Sequence, residues 1–298
     1  MLEFRDFAAD DRKLVQSYTL NLPYKNCDLA FANMFVWKFL YNTKICTTDD
    51  FLYVTYQFHG KPFFMLPLGK GDLKKAIENI VEFNKSTDQR FCIQGLSLKM
   101  KDRVEALMPN VFSFTTNRDY SDYLYLREDL IRLSGKKLQP KRNHINQFKR
   151  NYPNYKFLPI TPELIPICLE FETLWAAQQS VHKDASSLEN ERCAIKNAFA
   201  NYERLGLHGG VLMVEDKVVA FSYGSPINEI TFDVAVEKAS PDFIGSYATI
   251  NQEFSRSIPE QYVYVNREED LGIEGLRKAK LSYMPAEILD KYTAHFYC

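Results

Sequence analysis

The sequence predicts a mixed-sheet α+β protein built as two α/β units in tandem. Three observations lead there. The chain has 298 residues, and roughly 150 residues per domain gives two domains. Strand-like and helix-like patterns alternate through both halves. The composition also changes near the middle. From Leu130 to Pro162 no Asp or Glu occurs, while Arg132, Lys136, Lys137, Lys141, Arg142, Lys149, Arg150 and Lys156 do. The boundary is therefore placed at Ser134-Gly135, giving units 1–134 and 135–298.

The elements follow in order. The N-terminus MLEFRDFAADD is acidic and has no apolar stretch, so it does not read as a secretory leader. Residues 29–41 (LAFANMFVWKFLY) read as one aromatic, half-buried helix. It is too short to span about 30 Å of hydrocarbon, and with Lys38 as its one base it is a poor membrane-surface helix. Residues 51–58 and 61–68 read as paired strands around His59-Gly60, with Pro62 and Pro67 confining the second to an edge or to its ends. Asp72 is placed to cap a helix reaching about Asn84. Residues 91–96 read as a strand, 101–108 as a short helix, and 112–115 and 122–126 as strands.

In the second half, 156–160 reads as a strand and Pro162 opens a helix to about Gln179. Residues 189–205 form a second helix. Strands 209–214 and 217–225 make a hairpin over Glu215-Asp216. Strand 229–237, helix 246–258, strand 261–266 and helix 272–282 complete the pattern. An N-acetyltransferase domain has this order of elements, with one mixed sheet and helices on both faces. The first half reads as a degenerate copy of the same unit.

The net charge of −1 gives no global field for nucleic acid, so any such binding needs a local patch. The six cysteines are scattered without a CxxC pair. That spacing fits neither a zinc site nor a disulfide framework. It fits reduced thiols in a cytoplasmic protein.

Five stretches carry a resemblance: 28–38 (DLAFANMFVWK), 67–72 (PLGKGD), 135–148 (GKKLQPKRNHINQF), 210–221 and 265–285 (VNREEDLGIEGLRKAKLSYMP). On these the chain resembles the soluble relatives of the C-terminal domain of phosphatidylglycerol lysyltransferase. The resemblance implies two tandem N-acetyltransferase-like (GNAT-like) domains, similar also to the peptidoglycan Fem aminoacyltransferases. It implies an aminoacyl group taken from a charged tRNA. The transmembrane half of the full lysyltransferase has no counterpart here, which puts a lipid acceptor in doubt.

Four constellations carry the expected chemistry. Pro140 as first helical residue places Arg142, Asn146 and Arg150 on a polar stripe, with Ile145 and Phe148 on an apolar face. Guanidinium and ammonium groups bind phosphate, so Lys141, Arg142, Asn143 and Asn146 are candidate contacts to tRNA or an anionic lipid headgroup. The plain alternative is a solvated helix face. Second, acyl-CoA enzymes of this fold hold pyrophosphate on a Q/R-x-x-G-x-G/A loop at a helix N-terminus. Residues 242–247 keep Gly245, but Asp242 and Tyr247 oppose a pyrophosphate. Acyl-CoA is disfavoured, and no cofactor is assigned.

Third, Asp233 lies mid-strand, with Glu237 expected on the same face. A strand carboxylate is costly to bury unless paired or functional, so Asp233 is a candidate base. A solvent-facing or Lys/Arg-paired acid is the simpler alternative. Fourth, Asn266, Arg267 and Glu268 sit at a strand end, where α/β folds place ligands. Asp270 is the expected N-cap of the next helix, which carries Lys278 and Lys280 and leads to Tyr283. The resemblance implies that a lysine here contacts donor or acceptor, Lys280 before Lys278, and such a cation stabilises an oxyanion. Against this stands the ordinary preference of helix C-termini for cations.

Asp233, Glu268 and Lys280 are thus the expected catalytic residues. Lys141, Arg142, Asn143, Asn146, Asn266, Arg267, Lys278 and Tyr283 are the expected binding residues. There is no nucleophile elbow, HExxH, P-loop or GxGxxG, so neither a covalent nor a metal mechanism is expected. The reading is an acyl- or aminoacyl-transferase working by direct attack, with aminoacyl-tRNA as donor and an amine or hydroxyl as acceptor. The alternative is a non-catalytic protein of the same fold that binds tRNA or an anionic lipid through its basic helix.

Overall fold

A computed structural model describes residues 2–58, 60–85, 91–179 and 185–296. The strands are β1 (Lys44–Thr47), β2 (Phe51–Phe58), β3 (Lys61–Phe64), β4 (Leu68–Gly69), β5 (Cys92–Leu96), β6 (Phe112–Thr116), β7 (Asp122–Leu126), β8 (Lys156–Pro159), β9 (His208–Val214), β10 (Lys217–Pro226), β11 (Thr231–Ala239), β12 (Tyr264–Asn266), β13 (Glu287–Leu289) and β14 (Tyr292–Phe296). The helices are α1 (Arg12–Thr19), α2 (Phe31–Val36), α3 (Lys38–Tyr41), α4 (Leu73–Lys85), α5 (Leu98–Leu107), α6 (Arg127–Arg132), α7 (Gln139–Asn151), α8 (Ile165–Gln179), α9 (Ala185–Ala200), α10 (Tyr202–Leu205), α11 (Ser246–Ser257) and α12 (Glu274–Leu281).

Two seven-stranded mixed sheets result. The first runs β1-β2-β3-β5-β14-β6, with β4 on β2; the second runs β13-β7-β12-β11-β10-β9-β8. Both follow one plan. Antiparallel strands lead to a crossover helix, α4 or α11, and then to a parallel pair, β3 with β5 or β11 with β12. A parallel neighbour cannot be reached by a tight turn, so the helix is obligatory. The sheets exchange strands beyond that pair. β14, at the end of the chain, joins the first sheet, and β7, from the first half, joins the second. A boundary at Ser134-Gly135 therefore divides the chain but not the sheets.

Local chemistry explains most boundaries. Asp72 Oδ1 accepts from the Lys75 N–H and starts α4. Glu215 and Asp216 both take positive φ, as a tight two-residue hairpin requires. Residues 29–41 form two short helices, because Trp37 leaves α2 and Asn42 ends α3 in the left-handed region. Strands 112–116 and 122–126 are not partners but lie in different sheets.

One apolar core runs from Ile45, Leu52 and Ile93 of the first sheet to Val211, Phe221 and Tyr223 of the second. Fully burying each such side chain contributes about 1.5–3 kcal/mol, so the units are packed together, not tethered. Among the described residues no helix is long and apolar enough to cross a membrane.

Candidate active site

The site forms where the second sheet splits. β11 and β12 pair at Thr231–Tyr264, Phe232–Val265 and Asp233–Asn266. Beyond that rung β12 ends, while β11 runs on to Ala239. Asp233 stands at the vertex of this fork. It is 1% exposed, and neither carboxyl oxygen has a hydrogen-bond partner among the described residues. The simpler expectation of a solvated or paired acid is thereby replaced. Burial pushes its pKa well up, and nearby Glu268, Asp122 and Glu269 push it further. Ionised without a partner it would cost several kcal/mol, so the fold favours its protonated form.

The expected shared face of Asp233 and Glu237 is corrected by a bulge. Tyr223 faces Val236 and Ser225 faces Asp233, so three steps on β11 oppose two on β10. Phe232 and Val234 pack with Ala248 and Phe254 of α11, and Glu237 on that same side accepts from Asn251 of α11 at 2.9 Å. Asp233 points to the opposite side. Gly224 makes the bulge feasible, since a Cβ there would overlap the Asp233 carbonyl oxygen.

Glu268 reaches the fork from the turn after β12. Its φ of 54° is left-handed, a conformation costing about 1–3 kcal/mol unless its surroundings enforce it. Its N–H donates to Asn266 Oδ1 at 2.7 Å, and its Oε1 accepts from Asn33 Nδ2 of α2 at 2.8 Å. Burial, with Glu269 alongside, pushes its carboxyl up to about 8. Lys280, 8% exposed, donates to the Arg267 and Glu269 carbonyls. It clamps the turn that carries Glu268, and burial lowers its pKa.

On the α11 side, Arg267 pairs with Glu237 at 2.9 Å across the open fork. Its guanidinium lies 4.8 Å from the Tyr283 ring centre and 5.5 Å from that of Tyr125. Lys141 Nζ sits 4.0 Å over the same Tyr283 ring, and burial lowers its pKa. A cavity of about 290 Å³ opens beside this stack, lined by Asp129, residues 134–138, Tyr283 and Met284.

The structure thus brings together Asp233, Asn266, Arg267, Glu268 and Lys280, with Lys141 and Tyr283 adjoining. It separates the others. Arg142 is tied to the Leu133 and Gly135 carbonyls and to Gln139, so it holds the linker to α7. Asn143 and Asn146 are exposed, and Asn143 accepts from Gln139. Lys278 is exposed. α7 starts at Gln139, one residue before Pro140. Asp270 is not an N-cap: Ile273 holds that position, and the buried Asp270 carboxylate pairs with Arg277 at 2.8 Å. At Gly245 (φ 90°) a Cβ would overlap the His144 carbonyl oxygen, so α7 packs directly on the start of α11. Asp242 turns back toward Ser240, and the Tyr247 hydroxyl accepts from Trp175 at 3.0 Å.

Sequence reasoning missed the layer beneath. Lys291 Nζ lies 2.9 Å from Asp122 and 3.0 Å from Asp28, touches Glu269, and is 3.6 Å from Cys27 Sγ. Cys27, Asp122 and Glu269 converge as metal ligands would, and the Lys291 ammonium is the cation among them. Burial works against that charge, but Asp122, Asp28, Cys27 and Glu269 more than offset it and raise its pKa well up. The signal available was Asp122, an acid opening the aromatic run DYLYL just as Asp233 interrupts ITFDVAV.

A conserved protein of unknown function from Bacteroides thetaiotaomicron is 46% identical, with both chains covered in full and a TM-score of 0.96. L-PGS from Bacillus licheniformis is 14% identical over 93% of this chain and 94% of its own, with a TM-score of 0.63. FemX is 7% identical over 99% of this chain and 97% of its own, with a TM-score of 0.62. The last two likenesses concern the fold, which is the tandem mixed-sheet plan described above. Residues 20–295 match the model of the family "phosphatidylglycerol lysyltransferase, C-terminal", and the chain belongs to that family.

Proposed function

We propose that this chain is an aminoacyltransferase that moves an aminoacyl group from the ester of a charged tRNA to a hydroxyl or amine. The observation that carries the proposal is the buried, unpartnered Asp233 carboxyl at the fork, with the Glu268 carboxyl beside it. An aminoacyl ester brings one ammonium and one electrophilic carbonyl. Asp233 releases its proton to solvent and pairs with the ammonium, which removes the cost of its burial. Glu268, poised at about 8, exchanges protons near neutral pH. The acceptor oxygen or nitrogen attacks the ester carbonyl carbon and gives its proton to ionised Glu268. The bond to the tRNA 3′ oxygen breaks as Glu268 returns that proton to it. No enzyme-bound acyl group forms.

Lys280 keeps Glu268 in place through the Arg267 and Glu269 carbonyls and brings positive charge to the fork. Arg267, Lys141, Lys136 and Lys137 line the side where an anionic donor approaches. Guanidinium and ammonium groups hold phosphate there.

The test is discharge of tRNA charged with radiolabelled amino acids, with phosphatidylglycerol vesicles or a peptide amine as acceptor. The native protein should discharge it faster than buffer, while Asp233→Asn and Glu268→Gln should not. Equal discharge by all three proteins would sink the site assignment. No discharge by the native protein with any aminoacyl-tRNA would sink the function.

A further inference from the structure

The caged lysine beneath the fork leads to a second layer of control. Lys291 lies between β13 of the second sheet and β14 of the first. Its neighbours come from several elements: Cys27 and Asp28 from the turn before α2, Asp122 from β7, and Glu269 from the turn after β12. Tyr56 of β2 and Asp233 of β11 lie within its field. From Asp122 a line of hydrogen bonds leads to the fork. Asp122 Oδ2 accepts from Asn266 Nδ2 at 2.8 Å and from the Cys27 N–H at 2.9 Å. Asn266 Oδ1 then accepts from the Glu268 N–H at 2.7 Å. Asn266 satisfies its neighbours in one orientation, with its amide nitrogen toward the Asp122 carboxylate and, at 2.8 Å, the Lys25 carbonyl, and its oxygen toward the N–H.

We propose that Lys291 is a positioning residue: by pairing with Asp122 it fixes the Asn266 amide, and through Asn266 it holds Glu268 in the left-handed turn that presents its carboxyl to the fork. Three acids and a thiol crowd this spot. Without the ammonium they repel one another. Asp122 then loses the ion pair that fixes it against Asn266, and the Lys25 carbonyl alone holds the Asn266 amide nitrogen. An exposed salt bridge contributes little to such a geometry, but a pair this buried leaves a costly unpaired charge when one partner is removed. The inference deepens the transferase reading of the same site, yet its test needs neither donor nor acceptor, so failure of one is distinct from failure of the other.

The experiment follows the Glu268 carboxyl by NMR in full-length protein labelled with δ-13C glutamate, with Glu268→Gln identifying the resonance. The native midpoint should lie at about 8. Lys291→Met should move it upward by at least about half a unit, since a relaxed turn takes the carboxyl away from Asn33 and Lys280, which both hold its pKa down. Lys291→Arg should return it toward the native value. Asp28→Asn removes another partner of the same ammonium that lies outside the relay, and should leave the midpoint within about a quarter of a unit. A purely structural role would lower the melting temperature of Lys291→Met without this pattern. A folded Lys291→Met with an unmoved midpoint overturns the proposal, as does an equal shift in Asp28→Asn. Where Lys291→Met does not fold, Asn266→Ser cuts the relay one step later with the cage intact, and an unmoved Glu268 midpoint there overturns it too.

Discussion

Glu268→Gln should cost the protein its transfer activity and stabilise it above neutral pH. In the unfolded chain a glutamate releases its proton near 4.5, whereas Glu268 in the fold holds it to about 8. Between those values the folded state binds a proton that the unfolded state has lost, so native stability falls as pH rises through that window. Below 4.5 both states are protonated, and the neutral carboxyl is buried without penalty. Above 8 the folded state carries a buried charge. The gap of about 3.5 units corresponds to at most about 5 kcal/mol. Glutamine keeps the oxygen that accepts from Asn33 and is neutral at every pH. Urea unfolding of both proteins at pH 5, 6.5 and 8 should give nearly equal stabilities at pH 5 and a growing advantage for the variant toward pH 8. Parallel stability–pH curves would refute the argument that Glu268 is held protonated by the fold.

Two further outcomes follow from the geometry. Gly224→Ala sets a Cβ against the Asp233 carbonyl; it should cost about 1–3 kcal/mol in thermal unfolding and lower transfer beyond what stability explains, because the bulge aims Asp233. Lys136 and Lys137 line the cavity whereas Arg142 is bound to backbone carbonyls, so Lys136→Ala with Lys137→Ala should reduce the salt slope of tRNA binding by up to about two, while Arg142→Ala should lower the melting temperature and leave that slope unchanged.

The second unit was legible because its elements are local. The hairpin over Glu215-Asp216, α11 and α12 each follow from a turn or a helical period within a dozen residues. The strand exchange was not legible, because nothing in 122–126 or 292–296 records which sheet it will join. The site divides the same way. Asp233, Asn266, Arg267, Glu268 and Lys280 announced themselves as polar residues at a strand interior, a strand end or a motif. Their relations did not. The bulge that parts Asp233 from Glu237 depends on Gly224 in the neighbouring strand. Arg142 reads as a phosphate ligand from its helix face, but the linker's carbonyls already engage its guanidinium.

The exchange of strands also explains why so polar a centre can sit inside a packed core. β7 carries Asp122 from the first half into the second sheet, and the segment before β14 brings Lys291 from the end of the chain to meet it. β13 pairs with β7 at Leu289 and Asp122, which sets Lys291, two residues on, against Asp122. The first half brings Cys27, Asp28 and Asp122, and the second brings Glu269 and Lys291. Together they neutralise one another, and the apolar core that runs through both sheets supplies the free energy of closure. Asp233 is the exception, buried by the same closure and left without a partner. A fold that pairs Asp122, Glu237, Glu269 and Asp270 and leaves Asp233 unpaired sets an unmet electrostatic cost at the vertex of the fork, where an incoming ammonium relieves it.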